Sequence, residues 1–485
     1  MTIVNQLVHT LYRPLFITVS CLFLNACGGD SLMLANGIGG TGITTIGRIT
    51  AFGSVYVNGI HYNTDAATFS YNGKTVQQDD LYLGNIVQVK GTIHSDKKTG
   101  VAELVTYADT LNGPVTLIAD GKIIEIMKQS VVTNDLTVFH GFRKLTDLNV
   151  DNIVEVSGFS TSDGKIKASS IRLINENYVI GTELELEGFI SDIDQDLQTF
   201  SVQDLTINYA QSSFTGITAD ALETGLYLVI TTNQDIQKNT LIASSINVDN
   251  QLLIDGKLYE IEGLVTSFTS PTLFSVDDLP VITNSQTEFT PSSQGLTKGS
   301  YVRVFGTSNA QGRLVADAVT VMNLESETVL ETTLQFIDLA ERRIEILGQT
   351  AEINASTLLL DDRNIDGQGL SLEDFAVGDS VLVVTWKDSN GQLTVVRLSK
   401  VETLTDTFIL GLPENVDIDN ATLTLFNQTI HTGTTEYIGT DQTSISQAAF
   451  FNGASSTGTD VAVTGQVRSV GTIDASRLEL LDYAE

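Results

Sequence analysis

The chain has 485 residues, 42% of them hydrophobic and only 18% charged. That is too long for one hydrophobic core and too apolar for a disordered chain, so several folded domains are expected. Acidic residues outnumber basic ones 59 to 26, for a formal net charge of -33, and this field argues against nucleic acid as a partner. The two cysteines, Cys21 and Cys27, lie in the first thirty residues, which excludes disulfides, thiolate catalysis and cysteine-ligated metals from the rest of the chain.

At the N-terminus, Arg13 is the one charged side chain before position 27, and it precedes an apolar run, Pro14 to Leu24. The run suits the core of a signal peptide and is too short for a membrane span. It ends at Leu24-Asn25-Ala26-Cys27, which resembles the bacterial lipobox, where signal peptidase II cuts before a cysteine that carries diacylglycerol. The resemblance implies a signal peptide over 1–26, lipidation of Cys27 and a membrane partnership through that lipid. Gly28, where inner-membrane retention would use Asp, implies the outer membrane, with the periplasmic or cell-surface side left open. The alternative is an ordinary cleaved signal peptide with an incidental cysteine.

Residues 27–45 read as a glycine-rich spacer. Gly37, Gly39 and Gly42 form a literal G-x-G-x-x-G, but Ile43 to Val57 is β-branched and glycine-punctuated where a dinucleotide fold needs a helix.

Beyond the spacer, a pattern Gly-x-x-apolar-x-apolar-x-Gly recurs at Gly84, Val87, Val89, Gly91; at Gly299, Val302, Val304, Gly306; and at Gly458, Val461, Val463, Gly465. Degenerate copies stand at Asp151, Val154, Val156, Gly158, at Gly225, Leu228, Ile230 and at Gly378, Val381, Val383. A second pattern follows at Gly164-Ile166-Ala168, Gly312-Leu314-Ala316 and Gly471-Ile473-Ala475, and units tend to open on a glycine, as at Gly47, Gly113, Gly188 and Gly263. The first position returns every 67 to 80 residues, which gives six repeats: 46–112, 113–178, 179–255, 256–325, 326–402 and 403–485.

Apolar residues at i and i+2 share one face of a strand, and the glycines supply sharp corners. Five or six such strands with one short helical turn, as at Ser371 to Phe375 with Ser371 as N-cap, suit a small OB-like barrel. The fold class expected is therefore all-β, six tandem OB-like barrels, the alternative being a string of small β-sandwiches. Short, proline-poor linkers favour a rod over loose beads.

Gly37-Ile38-Gly39-Gly40-Thr41-Gly42, followed by Phe52-Gly53-Ser54-Val55-Tyr56-Val57-Asn58-Gly59, resembles the start of bacterial lipoproteins that carry repeats of DUF5666. The resemblance implies the OB-like architecture and the lipid anchor. It brings no activity, substrate or functional residues.

The sharpest chemical motif is Asp362-Arg363-Asn364-Ile365-Asp366-Gly367 with Glu373 at position twelve, which satisfies the calcium-loop expression D-x-[DN]-x-[DN]-G-x5-E. Asp362, Asn364, Asp366, the Gln368 carbonyl and Glu373 would be the oxygen ligands, and calcium the possible cofactor. Gly369 stands where an EF-hand needs an aliphatic residue, and residues 356–360 read as a strand, so a polar loop is the competing reading. The aspartates at 192, 194 and 196 begin the same pattern, but Leu197 and Gln203 break it and leave a hairpin tip.

His61, His94, His140 and His431 have no metal spacing. No G-x-S-x-G or triad pattern appears. Phe200 and Phe274 fall at core positions, leaving Tyr56, Tyr62 and Tyr71 as candidates for a contact surface. The function expected is a non-catalytic envelope lipoprotein acting as a multidomain binding or scaffolding array for an envelope polymer or protein. The alternatives are a calcium-dependent surface binding protein or adhesin, and a polysaccharide hydrolase built on two carboxyls in a cleft.

Overall fold

The computed structural model describes residues 42–481, apart from 108, 120, 162–164, 249–252, 278, 323–325, 388–390 and 457. Six small all-β barrels follow one another over 43–107, 111–175, 184–248, 258–322, 326–400 and 407–481, here called barrels 1 to 6. Barrel 1 sets the pattern. Its opening strand, Ile43–Phe52, pairs antiparallel on one side with Val55–Val57 and on the other with Ile86–Ile93. Ile86–Ile93 pairs with the closing strand Thr99–Tyr107, which runs parallel to Ile60–Asn63 and so shuts the ring through the hairpin Val55–Val57/Ile60–Asn63. The first strand belongs to the barrel from Ile43, so 43–45 are structural and not spacer.

Each sequence marker has a local cause. Gly84 has φ +86° and the residues in its place, Asp151 included, lie between +71° and +96°; glycine adopts that region freely and aspartate tolerates it. This backbone turn makes a two-bond clasp. The Gly84 amide donates to the Ile49 carbonyl, and the Ile49 amide to the Asn85 carbonyl, both at 2.9 Å. The same clasp joins Asp151–Val115–Asn152, Gly225–Ile190–Leu226, Gly299–Val265–Ser300 and Gly378–Leu334–Asp379.

The pattern's last glycine sits at a β-bulge. At Gly91 a Cβ would lie 2.1 Å from the Val101 carbonyl oxygen, and the register shifts between Lys90 and Gly91. Such a contact admits no side chain. Barrel 3 has Thr232 here, and there the last strand is broken into Thr240–Ile242 and Ser245–Val248, with the Thr232 hydroxyl donating to the Ile242 carbonyl at 2.7 Å.

The alternation of strands such as Tyr301–Ser308, with every second residue buried, fills each barrel from inside. The helical turn recurs as 3-10 turns, Gln78–Asp80, Leu145–Asp147, Ala219–Ala221 and Leu372–Asp374. In the last, the Asp374 carboxylate accepts from the Ser371 amide (2.8 Å) and hydroxyl (2.7 Å). Barrel 6 uses an α-helix, Gln447–Ala454, whose Phe450 and Phe451 are buried in its core.

The barrels are neither beads nor a simple rod. Their opening strands pair two by two: Ile43–Ile46 of barrel 1 runs parallel to Leu258–Ile261 of barrel 4, Leu111 and Asn112 of barrel 2 pair with Leu186 and Glu185 of barrel 3, and Val329–Glu331 of barrel 5 pairs with Phe408–Leu410 of barrel 6. Barrels 2 and 3 share one continuous core, as do 5 and 6. Val138 of barrel 2 and Leu358 and Leu360 of barrel 5 are buried in the core of barrel 1. A further cluster of Val329, Val384, Val396, Leu410 and Ala462 packs against Leu136 of barrel 2; at roughly 1.5–3 kcal/mol for each Val or Leu fully buried, such seams outweigh the freedom of short linkers.

Candidate functional site

The polar and charged side chains gather where barrels meet. The strand Gln349–Asp361 of barrel 5 ends in a turn held by Arg363, whose guanidinium donates to both Asp361 oxygens at 2.7 and 2.6 Å. The following backbone carbonyls face barrel 2. Arg143 Nη2 donates to the Arg363 carbonyl (2.7 Å) and the Gly141 amide to the Ile365 carbonyl (2.6 Å), while His140 Nδ1 lies 3.0 Å from the Asp366 carbonyl. The other His140 ring nitrogen, Nε2, meets the Leu83 carbonyl of barrel 1 at 2.8 Å. One buried imidazole thus stands between three barrels, its neutral form able to donate to one of the two carbonyls at a time, and burial pulls its pKa below the ordinary 6.5 despite them.

Arg397 completes this seam. Buried in barrel 5, at 8% exposure, it donates through Nη2 to both Asp362 oxygens at 2.8 Å and through Nη1 to the Asp135 (2.8 Å) and Thr137 (3.2 Å) carbonyls of barrel 2.

A second seam joins barrels 1, 2 and 3. Glu155, 2% exposed, accepts from the hydroxyls of Tyr71 and Tyr107, each at 2.8 Å, and from Arg172. Beside it the fully buried Asp109 is raised by burial and by the Glu155 charge. Glu185 is pushed up to about 9 by burial and by Asp109. Asn72 Nδ2 donates to Asp109 (2.5 Å) and to Glu185 (2.8 Å). Asn72 thus stands between the two carboxyls, and burial favours the protonated form of each. Glycoside cleavage needs carboxyls at least about 5 Å apart with a sugar between them. Between this pair stands Asn72, whose one amide nitrogen reaches both.

The structure does not bring the acids of the calcium motif together. Asp362 is turned to Arg397, and a divalent cation would have to displace that guanidinium. The Asn364 side-chain oxygen accepts from the Asp366 amide (3.0 Å), and Asp366 offers its carbonyl to His140. Gln368 is paired through its backbone with Asp361, and Glu373 is exposed on the 3-10 turn. Among the described residues no three His, Cys, Asp or Glu side chains converge on a metal position. Cys27 lies outside the described residues.

Of the tyrosines expected at a contact surface, Tyr62 is buried with its hydroxyl 2.6 Å from Thr45 Oγ1, and Tyr71 is spent on Glu155. Tyr56 is half-buried and stacks on His61 at 4.4 Å. Phe200 and Phe274 are core residues. Sequence reading missed His140 and Arg397. A signal for the latter exists: a lone arginine in the apolar strand Leu393–Lys400 needs a buried partner.

The family model of DUF5666, a domain of unknown function, matches residues 45–106, 112–172, 187–247, 262–320 and 334–397, one stretch in each of barrels 1 to 5. No curated protein matches. A solved structure titled "drosophila Unr CSD456" aligns at 13% identity over 61% of this chain and 98% of that one, with a TM-score of 0.12, too low to carry an argument. The five tandem matches cover more than half of the sequence, and the chain belongs to the DUF5666 family.

Proposed function

We propose that the protein is a non-catalytic, lipid-anchored component of the outer membrane whose tandem barrels act as one preorganised platform for binding or scaffolding an envelope polymer or protein. The observation that carries this reading is the use made of the charged side chains. Arg397, His140, Glu155 and Asp109 fasten barrel to barrel, and a body fixed in this way presents its outer faces without an ordering cost on binding. The anchor rests on the lipobox-like segment ending at Cys27, and the membrane partnership rests on that lipid.

Metabolic labelling with a radioactive fatty acid, followed by membrane fractionation, tests the anchor. The native chain is expected to take up label and sediment with outer membranes, and Cys27→Ala to lose the label and become soluble. An unlabelled native chain would remove it. Calorimetry of the soluble form starting at Gly28 tests the platform: one cooperative transition supports it, whereas six separable transitions would restore independent beads.

A further inference from the structure

Barrel 1 carries a second hairpin, Thr68–Tyr71 with Lys74–Val76, and Lys74–Val76 pairs on one side only, which leaves its other edge free among the described residues. Beside it lies an open groove of about 490 Å³, lined among others by Ser54, Asp65, Thr68, Phe69, Thr75 and Val76. That volume falls in the range of small-ligand clefts. The loop 64–67, closed by the Ala67 amide on the Thr64 carbonyl at 3.0 Å, forms part of its wall. In barrels 2 and 5 the matching loops are received by neighbours: Arg397 and Arg48 donate to the Asp135 (2.8 Å) and Leu136 (3.3 Å) carbonyls, and the Thr50 hydroxyl to the Ala355 carbonyl (3.3 Å). In barrel 1 the loop faces the groove instead.

The chemistry of the lining narrows what fits. Thr64 is spent, its hydroxyl donating to the Gln78 side-chain oxygen at 2.6 Å, and Asp65 accepts from the Asn63 carboxamide at 2.9 Å. The hydroxyls of Ser54, Thr68 and Thr75 are tied to no other described residue, and each can both donate and accept. Phe69 and Val76 supply an apolar floor between them. At the rim, the turn at Gly53 and Ser54 is met by His61, whose Nε2 lies 3.3 Å from the Gly53 carbonyl and whose ring stacks on Tyr56 with centroids 4.4 Å apart. No lysine or arginine lines the groove and one carboxylate does, so neither this site nor the chain's charge of -33 favours an anion. The free edge is three residues long, too short to hold an added protein strand of ordinary length.

We propose that this groove of barrel 1 binds a segment of an uncharged polysaccharide, with the Ser54, Thr68 and Thr75 hydroxyls meeting sugar hydroxyls and Phe69 and the Tyr56–His61 pair lying against the C–H faces of the rings. Hydroxyls beside apolar and aromatic surface match a ligand whose edges are polar and whose faces are not. The inference rests on the platform reading and names the class of polymer that one face of the platform takes. It needs neither the lipid anchor nor the seams between barrels.

The test is the migration of the full mature chain, without its lipid, in native gels that contain dextran, hydroxyethyl cellulose or galactomannan as neutral polymers, or alginate as a polyanion. At least one neutral polymer is expected to retard the chain and alginate to leave it unaffected. Thr68→Val with Thr75→Val keeps the shape of two exposed strand positions and the β-branched side chains that strands favour, so this variant should fold and need several-fold more polymer for the same retardation. Retardation by no neutral polymer, by alginate alone, or equally in native and variant chains would overturn the proposal. A chain that takes up lipid label and unfolds in one transition yet passes every neutral polymer unretarded would lose the groove and keep the platform.

Discussion

At the tip of a barrel 3 hairpin, Asp194 accepts from the amides of Asp196 (3.0 Å) and Leu197 (2.9 Å), and the whole turn stands in solvent. In barrel 5 the turn after Asp361 uses the same local chemistry, the Asn364 side chain taking the Asp366 amide, yet its outward carbonyls and the Asp362 carboxylate are received by Gly141, Arg143, His140 and Arg397. Both turns carry aspartate or asparagine on a two-residue spacing. What separates them is the neighbour. A polar turn becomes a joint when another barrel supplies donors, and remains a turn when water does.

Three substitutions sharpen this contrast. The largest effect is expected from Arg397→Met, which fills the same space but strands Asp362 and the two carbonyls of barrel 2. Breaking a buried charge pair from one side costs about 3–5 kcal/mol, read as a lower urea midpoint. A midpoint unchanged from the native chain would show that the joint contributes nothing.

A smaller, pH-dependent effect is expected at His140. Its pKa lies below 6.5 in the folded chain, so as pH falls past that value the unfolded chain takes the proton first and the native state loses stability. Urea midpoints at pH 7 and pH 5 should therefore differ more for the native chain than for His140→Gln. Equal losses would place the acid sensitivity elsewhere. The smallest effect belongs to Asp194→Ala: with only two local bonds in water at stake, the cost is about 1 kcal/mol or less, and a larger loss would mean that this tip, too, is a joint.

Much of the barrel was legible because its causes are local. A positive φ at Gly84 or Asp151 and a bulge at Gly91 each restrict the residue at one position, and six repetitions make the restriction visible. The all-β class and the OB-like barrels follow from that. The seams were not legible, because Ile43–Ile46 and Leu258–Ile261 carry the same alternation as every other opening strand, and nothing in them states which edge takes which. Ile43 to Thr45 were absorbed into the spacer because a glycine-rich run precedes them. Asp362 and Asp366 advertised oxygen ligands to a metal, while their actual partners, Arg397 and His140, stand 35 and 226 residues away.

The edge shared by barrels 1 and 4 bears on how the chain can be made and how it can change. Its paired residues are 215 positions apart, so during synthesis the first barrel displays an open strand edge until three more have emerged, an aggregation hazard that a shielding chaperone would relieve. For the same reason, the number of repeats is not free to drift. Losing barrel 2 or 3 alone would leave its partner with a bare edge, and duplications or deletions in this lineage should come in pairs.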